Sequence, residues 1–527
     1  MCGIFCLLNN NHLSKSFINK QFMKGVGRGP ESSILNEDFH DKCIFGFHRL
    51  AINGLNNISN QPIIINNILL ICNGEIYNYK ELYKMMNMKN ITDSDCEIII
   101  HLYRKYGIEQ TLQMIDGVFS FILCDLSLKK LYVARDPFGV RPLYVLTNDI
   151  YINFASELKM LSEFKSDIKH FTPGSYSIYD YKNNIWKLGV KNKIYHSTSF
   201  PCIGNVDNVY QNIQNYLTNA VKKRVFVSDR PIACLLSGGL DSSLITALVN
   251  EYYNKDHKLQ TFSIGMHGSD DLKNARIVSE YLNTEHYEIL LTEDDFFNAI
   301  PEVIKAIESY DTTTVRASIG NYLVGKYISE NSKAKVIFNG DGSDELCGGY
   351  LYMHLVPDSV EFDKESRRLL KDIHLFDVLR SDKCISSHGL EPRTPFLDRS
   401  WTQYYLSIDP DLRNHTLKKN CEKFLLRNAF STKHFKNKHD RALLPDCILY
   451  RRKEAFSDAV SHIDRSLYKI IQEKVKEKYN MSETEYYKYL FNKYYPDREN
   501  IVPYFWNHQY VESKDPSART LNIYYNA

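Results

Sequence analysis

The stretch IACLLSGGLDSS, residues 232–243, sets the architecture of the larger part of the chain. Its apolar start predicts a buried strand, its two glycines predict a tight turn, and the residues from Leu240 onward predict a helix. Unpaired N–H groups and the positive end of a helix dipole meet at such a turn, and the hydroxyls of Ser237 and Ser242 add donors. The stretch therefore predicts an anion site. An ordinary strand–turn–helix unit with a serine N-cap is the alternative.

The sequence on both sides of this turn predicts a parallel sheet with crossover helices. From about residue 212 onward, apolar strands at 232–236, 259–264 and 335–338 alternate with helical patterns such as 242–253. The third strand leads into an acidic turn, NGDGSDEL at 339–346. With Asp241, this turn could supply oxygen ligands to Mg²⁺ on bound phosphates, although each of these groups alone is equally typical of a solvated charge cluster.

The first third of the chain predicts sheet-on-sheet packing instead. Short β-rich runs alternate with turn signals at 4–8, 43–52, 68–72, 119–125, 131–134, 142–146 and 151–155. One helix interrupts them, because Ser94 or Asp95 offers an N-cap before an apolar stripe over 98–106, and Gly107 is placed to end it. Residues 195–208 are the best candidate for a linker.

Composition and charge restrict the class of protein. A chain of 527 residues, 43% hydrophobic and 24% charged, predicts two or three globular domains. The net charge of +2 gives no overall attraction to nucleic acid or to an anionic membrane. No apolar run of about 18 residues and no signal-peptide pattern occurs, so we expect a cytoplasmic protein with neither kind of partner. The 12 cysteines are dispersed without a CxxC pair, which argues against disulfides and zinc.

Cys2 is different from the other cysteines because of its position. Methionine before a small residue is a usual substrate for removal, and removal would leave Cys2 with a free α-amino group. An α-amine has a reference pKa of about 7.7–8.0, so it can take the thiol proton directly or through one water. Cys2 is therefore a candidate nucleophile that carries its own base, and a chance cysteine at the second position is the alternative.

Six short motifs in the first third carry a family resemblance: MCGI at 1–4, RGP at 28–30, HRLAI at 48–52, NGEIYN at 73–78, SDCE at 94–97 and RDPFG at 135–139. In order and approximate spacing they resemble the N-terminal-nucleophile glutamine amidotransferase domain. The resemblance implies that Cys2 attacks the side-chain amide of glutamine, while the Asn73 side chain and the Gly74 N–H form the oxyanion hole. Gly27 and Glu31 depart from the family pattern, which usually has His and Asp there.

The same resemblance implies how glutamine is held. Arg49 would bind its α-carboxylate, and Glu75 and Asp95 would receive its α-ammonium. The full set of implied glutamine-binding residues is Arg49, Leu50, Ala51, Ile52, Asn53, Asn73, Gly74, Glu75 and Asp95.

The second part of the chain resembles a different enzyme. SGGLDSS at 237–243 is similar to the pyrophosphate-binding loop of the ATP pyrophosphatases, which split ATP to AMP and pyrophosphate. Together with TFSIGM at 261–266, YDTTTVRAS at 310–318, VIFNGDGSDEL at 336–346, EPRTPFLD at 391–398 and RRKEAFSD at 451–458, it resembles the glutamine-hydrolysing asparagine synthetases. Asp341 stands where glutamate is common, Asn339 where serine is usual, and Ala459 where glycine often occurs.

This second resemblance implies a set of site residues. It places Mg²⁺ at Asp241 and Asp344, formation of an acyl-adenylate at Asp341, and a cation for the developing charge at Lys453. The implied ATP-binding residues are Leu236, Ser237, Gly238, Gly239, Asp241, Ser242, Ile264, Asn339 and Gly340. The implied cofactors are therefore ATP and Mg²⁺, and the implied substrates are glutamine, aspartate and ATP.

The two resemblances together predict an α/β chain with two domains. Residues 2–204 would form an αββα sandwich with glutaminase activity, and residues 205–527 a doubly wound parallel-sheet domain of the ATP-pyrophosphatase type. Ammonia from glutamine would displace AMP from β-aspartyl-AMP to give asparagine, and a homodimer is possible because the family often forms one. One alternative is a related two-domain amidotransferase or cyclase acting on a different carboxylate. Another is a binding protein without catalysis.

Overall fold

The structure of the protein is a computed structural model that describes residues 2–36, 42–204, 207–417, 420–454, 456–461, 465–513 and 515–521. The strands of the N-terminal part are β1 Gly3–Leu8, β2 Ser32–Asn36, β3 Cys43–Arg49, β4 Ile63–Ile65, β5 Ile68–Ile76, β6 Gly117–Asp125, β7 Lys130–Arg135, β8 Tyr144–Thr147, β9 Ile152–Ala155, β10 Ile168–His170, β11 Ser175–Lys182 and β12 Ile185–Ile194. Its helices are α1 Lys15–Met23, α2 Tyr79–Met86 and α3 Ile98–Met114.

These strands form two antiparallel sheets packed face to face. One runs in the order β10-β8-β9-β1-β3-β2 and the other in the order β12-β11-β7-β6-β5-β4. Strand β1 shows why both faces are apolar: Ile4 and Cys6 point between the sheets, whereas Phe5 and Leu7 point outward toward α1. Helices α2 and α3 cover the outer face of the second sheet. The predicted αββα sandwich is confirmed. Each of the seven runs predicted to be strands contains one, but the run at 43–52 extends past the end of β3 and the run at 142–146 begins before β8.

Helix α3 differs in one respect from the sequence prediction. Gly107 does leave the helical conformation, with a φ of +78°, but the chain re-enters a helix directly afterwards and continues to Met114. A left-handed glycine can therefore kink a helix here as well as end it. Tyr106, placed in the buried stripe by its spacing, is 42% exposed.

The C-terminal part contains the parallel sheet. Its strands are β13 Ile232–Leu235, β14 Gln260–Met266, β15 Glu285–Leu291, β16 Val336–Phe338 and β17 Glu391–Arg393. Its helices are α4 Val209–Phe226, α5 Leu240–Tyr252, α6 Asp270–Leu282, α7 Glu293–Ile307, α8 Thr312–Asn331, α9 Ser343–Cys347, α10 Ser359–Asp372, α11 Asp377–Ser386, α12 Arg399–Ser407, α13 Pro410–Arg413, α14 Phe424–Ala429, α15 Asp446–Leu449, α16 Phe456–Ala459, α17 Leu467–Tyr479 and α18 Glu483–Tyr494.

This sheet runs in the order β15-β14-β13-β16-β17 with every pairing parallel. Alternate residues of β13 separate its two faces: Ala233 packs toward α8 and α11, and Ile232 and Cys234 pack toward α4 and α5. Helices therefore cover both faces, which confirms the doubly wound prediction. The described residues of 195–208 lie between β12 and α4 without a named helix or strand, as the linker prediction requires. No helix in the described ranges is long and apolar enough to cross a membrane.

Buried charges join the N-terminal sandwich to helix α11. The Asp382 carboxylate accepts from Arg28 at 2.7 Å through one oxygen and from Arg141 at 3.2 Å through the other. Arg28 also contacts Glu157 at 2.6 Å, and its Nε donates to the carbonyl oxygen of Cys2 at 2.9 Å. Both arginines and Asp382 are at most 2% exposed. Burial disfavours the charged form of Arg28, but the two carboxylates outweigh this and raise its pKa.

Replacing Asp382 with alanine leaves two buried guanidinium groups short of an acceptor. Removing one partner of a buried ion pair typically costs about 3–5 kcal/mol, so we expect Asp382→Ala to lower the free energy of unfolding by about 3 kcal/mol. Urea unfolding followed by circular dichroism measures the change. The exposed Asp149→Ala is the control and should change it by less than about 0.5 kcal/mol. Equal stability of both variants would contradict the structural role of Asp382.

Two candidate active sites

The first site is built around Cys2 and Asn73, which strands β1 and β5 bring together. The backbone nitrogen of Cys2 donates to Oδ1 of Asn73 at 3.2 Å, and its thiol lies 3.7 Å from the carbonyl oxygen of Leu50. The Nδ2 group of Asn73 is fully buried and has no hydrogen-bond partner among the described residues. A buried donor without an acceptor is costly unless a ligand satisfies it. The amide is therefore free to donate to an oxyanion beside the sulfur.

Cys2 needs a base to become a nucleophile. Burial raises the pKa of its thiol, so the thiol holds its proton at neutral pH. Its own nitrogen is the nearest candidate, and that nitrogen is an α-amine when Cys2 is the first residue.

Gly74, next to Asn73, approaches β6 so closely that a Cβ there would lie 2.5 Å from the carbonyl oxygen of Val118. Only glycine fits at this position.

Arg49, at the end of β3, is anchored to the loop that follows it. Its guanidinium donates to the carbonyl oxygens of Gly54 at 2.5 Å and Asn56 at 3.1 Å, and also to the side chain of Asn60. Burial lowers the pKa of this group, but arginine remains charged. The anchored cation fits the predicted role as a carboxylate receptor.

The loop after Arg49 is tied to the C-terminal part of the chain through Glu31. The Glu31 carboxylate accepts from the N–H of Ala51 at 2.8 Å and from Arg230 at 2.7 Å, and Arg230 also donates to the carbonyl oxygen of Ala51 at 2.8 Å. Leu50 and Ile52 on either side are buried. Glu31, a departure from the family pattern, therefore holds this loop in place.

Asn53, in the loop after Arg49, contacts one buried carboxylate and approaches a second. Its Nδ2 donates to Glu75 at 2.5 Å and lies 3.5 Å from Asp95, which also accepts from the N–H of Ile76 at 2.7 Å. Burial raises the pKa of Asp95 to about 6. Burial, followed by the charge of Asp95, raises the pKa of Glu75. Two neighbouring buried acids whose pKa values are raised favour a cationic ligand such as an α-ammonium group.

Strand β17 adds a pair that sequence reasoning did not assign to this site. The Arg393 guanidinium lies 3.5 Å from the Glu75 carboxylate and 2.9 Å from that of Glu391, and all three residues are buried. The motif EPR at 391–393 was recognised, but nothing in its spacing indicated that it reaches the N-terminal site. The surroundings of Glu75 thus include residues from both parts of the chain.

The second site lies at the carboxyl ends of β13, β14 and β16. One cavity is lined by Leu236, Ser237, Gly239, Asp241, Ser242, Ile264, Asn339, Gly340, Asp341, Asp344 and Lys453. Gly238 is not part of the lining: its φ is +72°, and a Cβ there would lie 2.4 Å from the backbone nitrogen of Ala275. Glycine is needed at this position so that the turn can pack on α6. The structure brings the remaining predicted residues together.

The turn before α5 presents its donors to this cavity. The hydroxyls of Ser237 and Ser242 lie 2.9 Å apart, and the N–H of Ser237 donates to Ser242 at 3.2 Å. Gly340 lies against the first turn of α5, where a Cβ would be 2.8 Å from Asp241 and from the nitrogen of Ser242. The first-turn N–H groups of α5 have no intrahelical partners, so the arrangement suits a phosphate.

Two carboxylates face two lysines across the same cavity. Lys423 contacts Asp241 at 2.6 Å and Asp344 at 2.5 Å, while Lys453 contacts Asp344 at 2.6 Å. Although burial raises the pKa of Asp344, the charges of Lys423 and Lys453 hold it below the usual value. The same attraction raises the pKa of Lys453 against the effect of burial. Lys423 could not be identified as a site residue from the sequence, because no local motif includes it.

Asp341 lies in a third cluster of the cavity wall. It accepts from Asn339 at 2.7 Å and from Arg380 of α11 at 3.3 Å. Asn339 also donates to Ser381 at 2.7 Å, and Arg380 also contacts Asp377 at 2.8 Å. Burial raises the pKa of Asp341, and the charge of Arg380 opposes that rise. Arg380 is a second residue that the sequence did not reveal.

Two family models match different parts of the chain. A family model described as asparagine synthase matches residues 212–361 and 354–514, and one described as glutamine amidotransferase domain matches residues 1–185. The chain is 42% identical, over 573 aligned positions that cover 100% of both proteins, to asparagine synthetase (glutamine-hydrolyzing) from Gallus gallus. It is 40% identical, with the same coverage, to the protein of that name from Homo sapiens.

Replacing Lys423 removes a buried cation that neutralises two acids. We expect Lys423→Met to lower the free energy of unfolding by about 2 kcal/mol at pH 7, the usual scale for hydrogen bonds to charged groups. A carboxyl whose pKa is lowered by folding contributes stability above its unfolded value of about 3.9 and loses it as the pH falls. The deficit should therefore stay nearly constant between pH 7 and about pH 5 and shrink as the pH falls further, below about pH 4, in urea unfolding experiments.

Lys423→Arg, which keeps the charge, is the matched control and should lose less than half as much stability. A deficit of Lys423→Met that stays constant with pH would contradict the electrostatic explanation.

Proposed function

The chain belongs to the family of glutamine-hydrolysing asparagine synthetases, and from this premise we propose which of its residues carry each step. The enzymes of this family are ATP-dependent ligases, and their substrates are glutamine, aspartate and ATP. The observation that carries the residue assignment is the buried amide of Asn73, which bonds to the nitrogen of Cys2 through its oxygen and has a free donor on its nitrogen.

Glutamine is hydrolysed at Cys2. The α-amine of the processed chain takes the thiol proton, and the sulfur attacks the side-chain carbonyl carbon. The oxyanion that forms accepts from Nδ2 of Asn73 and from the N–H of Gly74, donors worth about 2.7–4 kcal/mol each because they act on charge present only in the transition state. The C–N bond then breaks, the amine returns its proton and ammonia leaves. Water cleaves the thioester to glutamate.

Glutamine is held through its α-carboxylate and α-ammonium groups. Arg49 receives the carboxylate, and Glu75 and Asp95 receive the ammonium, supported by Asn53. The backbone of Leu50, Ala51 and Ile52 completes the pocket. The pKa of about 6 for Asp95 supports this assignment, because a nearby ammonium ion would stabilise the carboxylate that burial disfavours.

ATP binds in the cavity at the end of β13. Its pyrophosphate lies at the turn of Ser237, Gly238, Gly239 and Ser242, and its adenine and ribose contact Leu236, Ile264, Asn339 and Gly340. The β-carboxylate of aspartate attacks the α-phosphorus and pyrophosphate leaves. Lys453 neutralises the negative charge that develops in the transition state of this step. Asp341 contributes to formation of the acyl-adenylate. Ammonia then displaces AMP to give asparagine.

Mg²⁺ fits the oxygen ligands of Asp241 and Asp344. No cluster of three or more His, Cys, Asp or Glu side chains able to hold a metal occurs in the described part of the chain. Mg²⁺ commonly binds through one or two carboxylates together with phosphate oxygens and water, so two acids suffice when ATP is bound. The ion would neutralise phosphate charge, and both carboxylates would have to exchange Lys423 for it.

We also propose that the glutaminase domain spans residues 2–204 and the synthetase domain residues 205–527. The cytoplasmic location, the absence of nucleic-acid and membrane partners and the homodimer stay predictions.

One assay tests both sites and their coupling. The protein is incubated with Mg²⁺-ATP, aspartate and glutamine labelled on its amide nitrogen, and AMP, pyrophosphate and asparagine are quantified. We expect labelled asparagine in equal amount to AMP and pyrophosphate. Cys2→Ala should lose this product with glutamine but regain it with ammonium. Glutamate release without pyrophosphate would contradict aspartate as the acceptor, and synthesis from glutamine by Cys2→Ala would contradict the nucleophile.

The acid limb of the glutaminase reaction tests the ammonium site. We expect kcat/KM for glutamine to show a second fall below about pH 6, in addition to the fall that protonation of the Cys2 α-amine causes at higher pH, because protonation of Asp95 removes a charge that binds the α-ammonium. The charge of Asp95 raises the pKa of Glu75, so Asp95→Asn should move this limb to lower pH. At pH 8 the kcat/KM of the same variant should be about tenfold lower, which is the effect expected when a hydrogen bond to a charged group is lost. An unshifted limb would contradict the assignment.

A further inference from the structure

The sequence after residue 465 contains no recognisable motif, yet two short parts of it reach the walls of the ATP cavity. These are residues 504–508 and 515–521, here called the C-terminal brace. Trp506 and Arg519 are at most 8% exposed, so these residues pack into the domain rather than lie on its surface.

The first part of the brace fixes the start of α8. The N–H of Trp506 donates at 2.8 Å to Asp311, the N-cap residue of α8, whose other oxygen accepts from the N–H of Thr314 at 2.8 Å. The ring of Trp506 lies 5.2 Å from that of Tyr350. Tyr350 and α8 both line the ATP cavity. One residue of the brace therefore supports two of its walls.

Asp515 also contacts helix α8, through Arg316. Its carboxylate accepts from both terminal nitrogens of Arg316, at 2.7 and 2.8 Å, and Arg316 is also paired with Glu483 of α18. Arg316 is only 4% exposed. Bidentate contacts of this kind fix orientation as well as position.

The end of the brace holds the segment that carries Lys453. Arg519 contacts Glu454 at 3.2 Å, and the hydroxyl of Ser517 donates to Asp458 at 2.9 Å. The backbone of Ser517 is in turn tied to Asp515 at 2.8 Å. Residues 451–454 lie outside any helix or strand, so their position depends on such contacts.

We infer that the C-terminal brace positions Lys453 and the start of α8 for the ATP-dependent step, with Arg519 acting on Lys453 through Glu454. This inference rests on the proposed role of Lys453. A transition-state cation loses its effect when it is displaced by about 1 Å, which can cost up to about a hundredfold in rate. Cys2 and Asn73 are held by other elements, so the glutaminase step does not depend on the brace.

Arg519→Met tests the inference in the full-length enzyme, with Arg465→Met as the matched control. Arg465 is also a C-terminal arginine that pairs with acids, in its case Glu293 and Glu473, but it is half exposed and touches no wall of the cavity. We expect Arg519→Met to lower kcat of ammonium-dependent asparagine synthesis by at least about tenfold, with KM for ATP changed less than threefold. Arg519→Lys should recover part of the loss. Glutaminase activity should stay within twofold of the parent protein.

A second measurement does not depend on any activity. Arg451, Arg452 and Lys453 are trypsin sites, and loss of the brace contact should speed cleavage there relative to Arg465→Met. Unchanged kcat, unchanged cleavage, or equal loss of both activities in Arg519→Met would each overturn the inference. A parent protein that makes no asparagine would contradict the proposed function instead, and the cleavage rates would still decide whether the brace holds the segment.

Discussion

The pairing of Asp382 with Arg28 and Arg141 is the contact on which the arrangement of both sites depends. Each carboxylate oxygen accepts from an arginine of the N-terminal sandwich, and all three groups are almost completely buried. Buried charges are tolerated only while they remain paired, so the two parts of the chain cannot separate without a large penalty. Arg28 also donates to the carbonyl oxygen of Cys2, so Asp382, from the C-terminal part of the chain, helps to position the nucleophile through Arg28.

Helix α11 has contacts near both sites. Arg380 and Ser381 contact Asp341 and Asn339 in the ATP cavity, and the next residue, Asp382, contacts Arg28 behind Cys2. A helix moves as a rigid unit over so short a distance, so a displacement of α11 changes the surroundings of both sites together. Adjacent residues of one helix thus contact the ATP cavity and the arginine that bonds to Cys2.

The sequence predicts those features that are encoded locally. Alternation along β1 and the apolar run at 232–236 follow from strand geometry, and the turn before α5 follows from its glycines. Lys423 could not be found in this way, because it reaches Asp241 across 182 residues of chain and no periodicity records that contact. The same holds for Glu31, whose partner Arg230 belongs to the other domain. Tertiary contacts between distant segments decide these positions, and a single sequence does not display them.

The two departures from the family pattern in the ATP cavity are explained by their contact with each other. Asp341 is one methylene shorter than the usual glutamate, which leaves its carboxylate closer to the backbone. Asn339 is longer than the usual serine, and its amide donates to that carboxylate at 2.7 Å while Arg380 approaches it at 3.3 Å. A buried carboxylate without hydrogen-bond donors would be costly. Asn339 and Arg380 supply donors at the position that the shorter side chain of Asp341 occupies. The oxygen of the same amide is buried without a partner among the described residues, so it remains available to accept a hydrogen bond from a nucleotide.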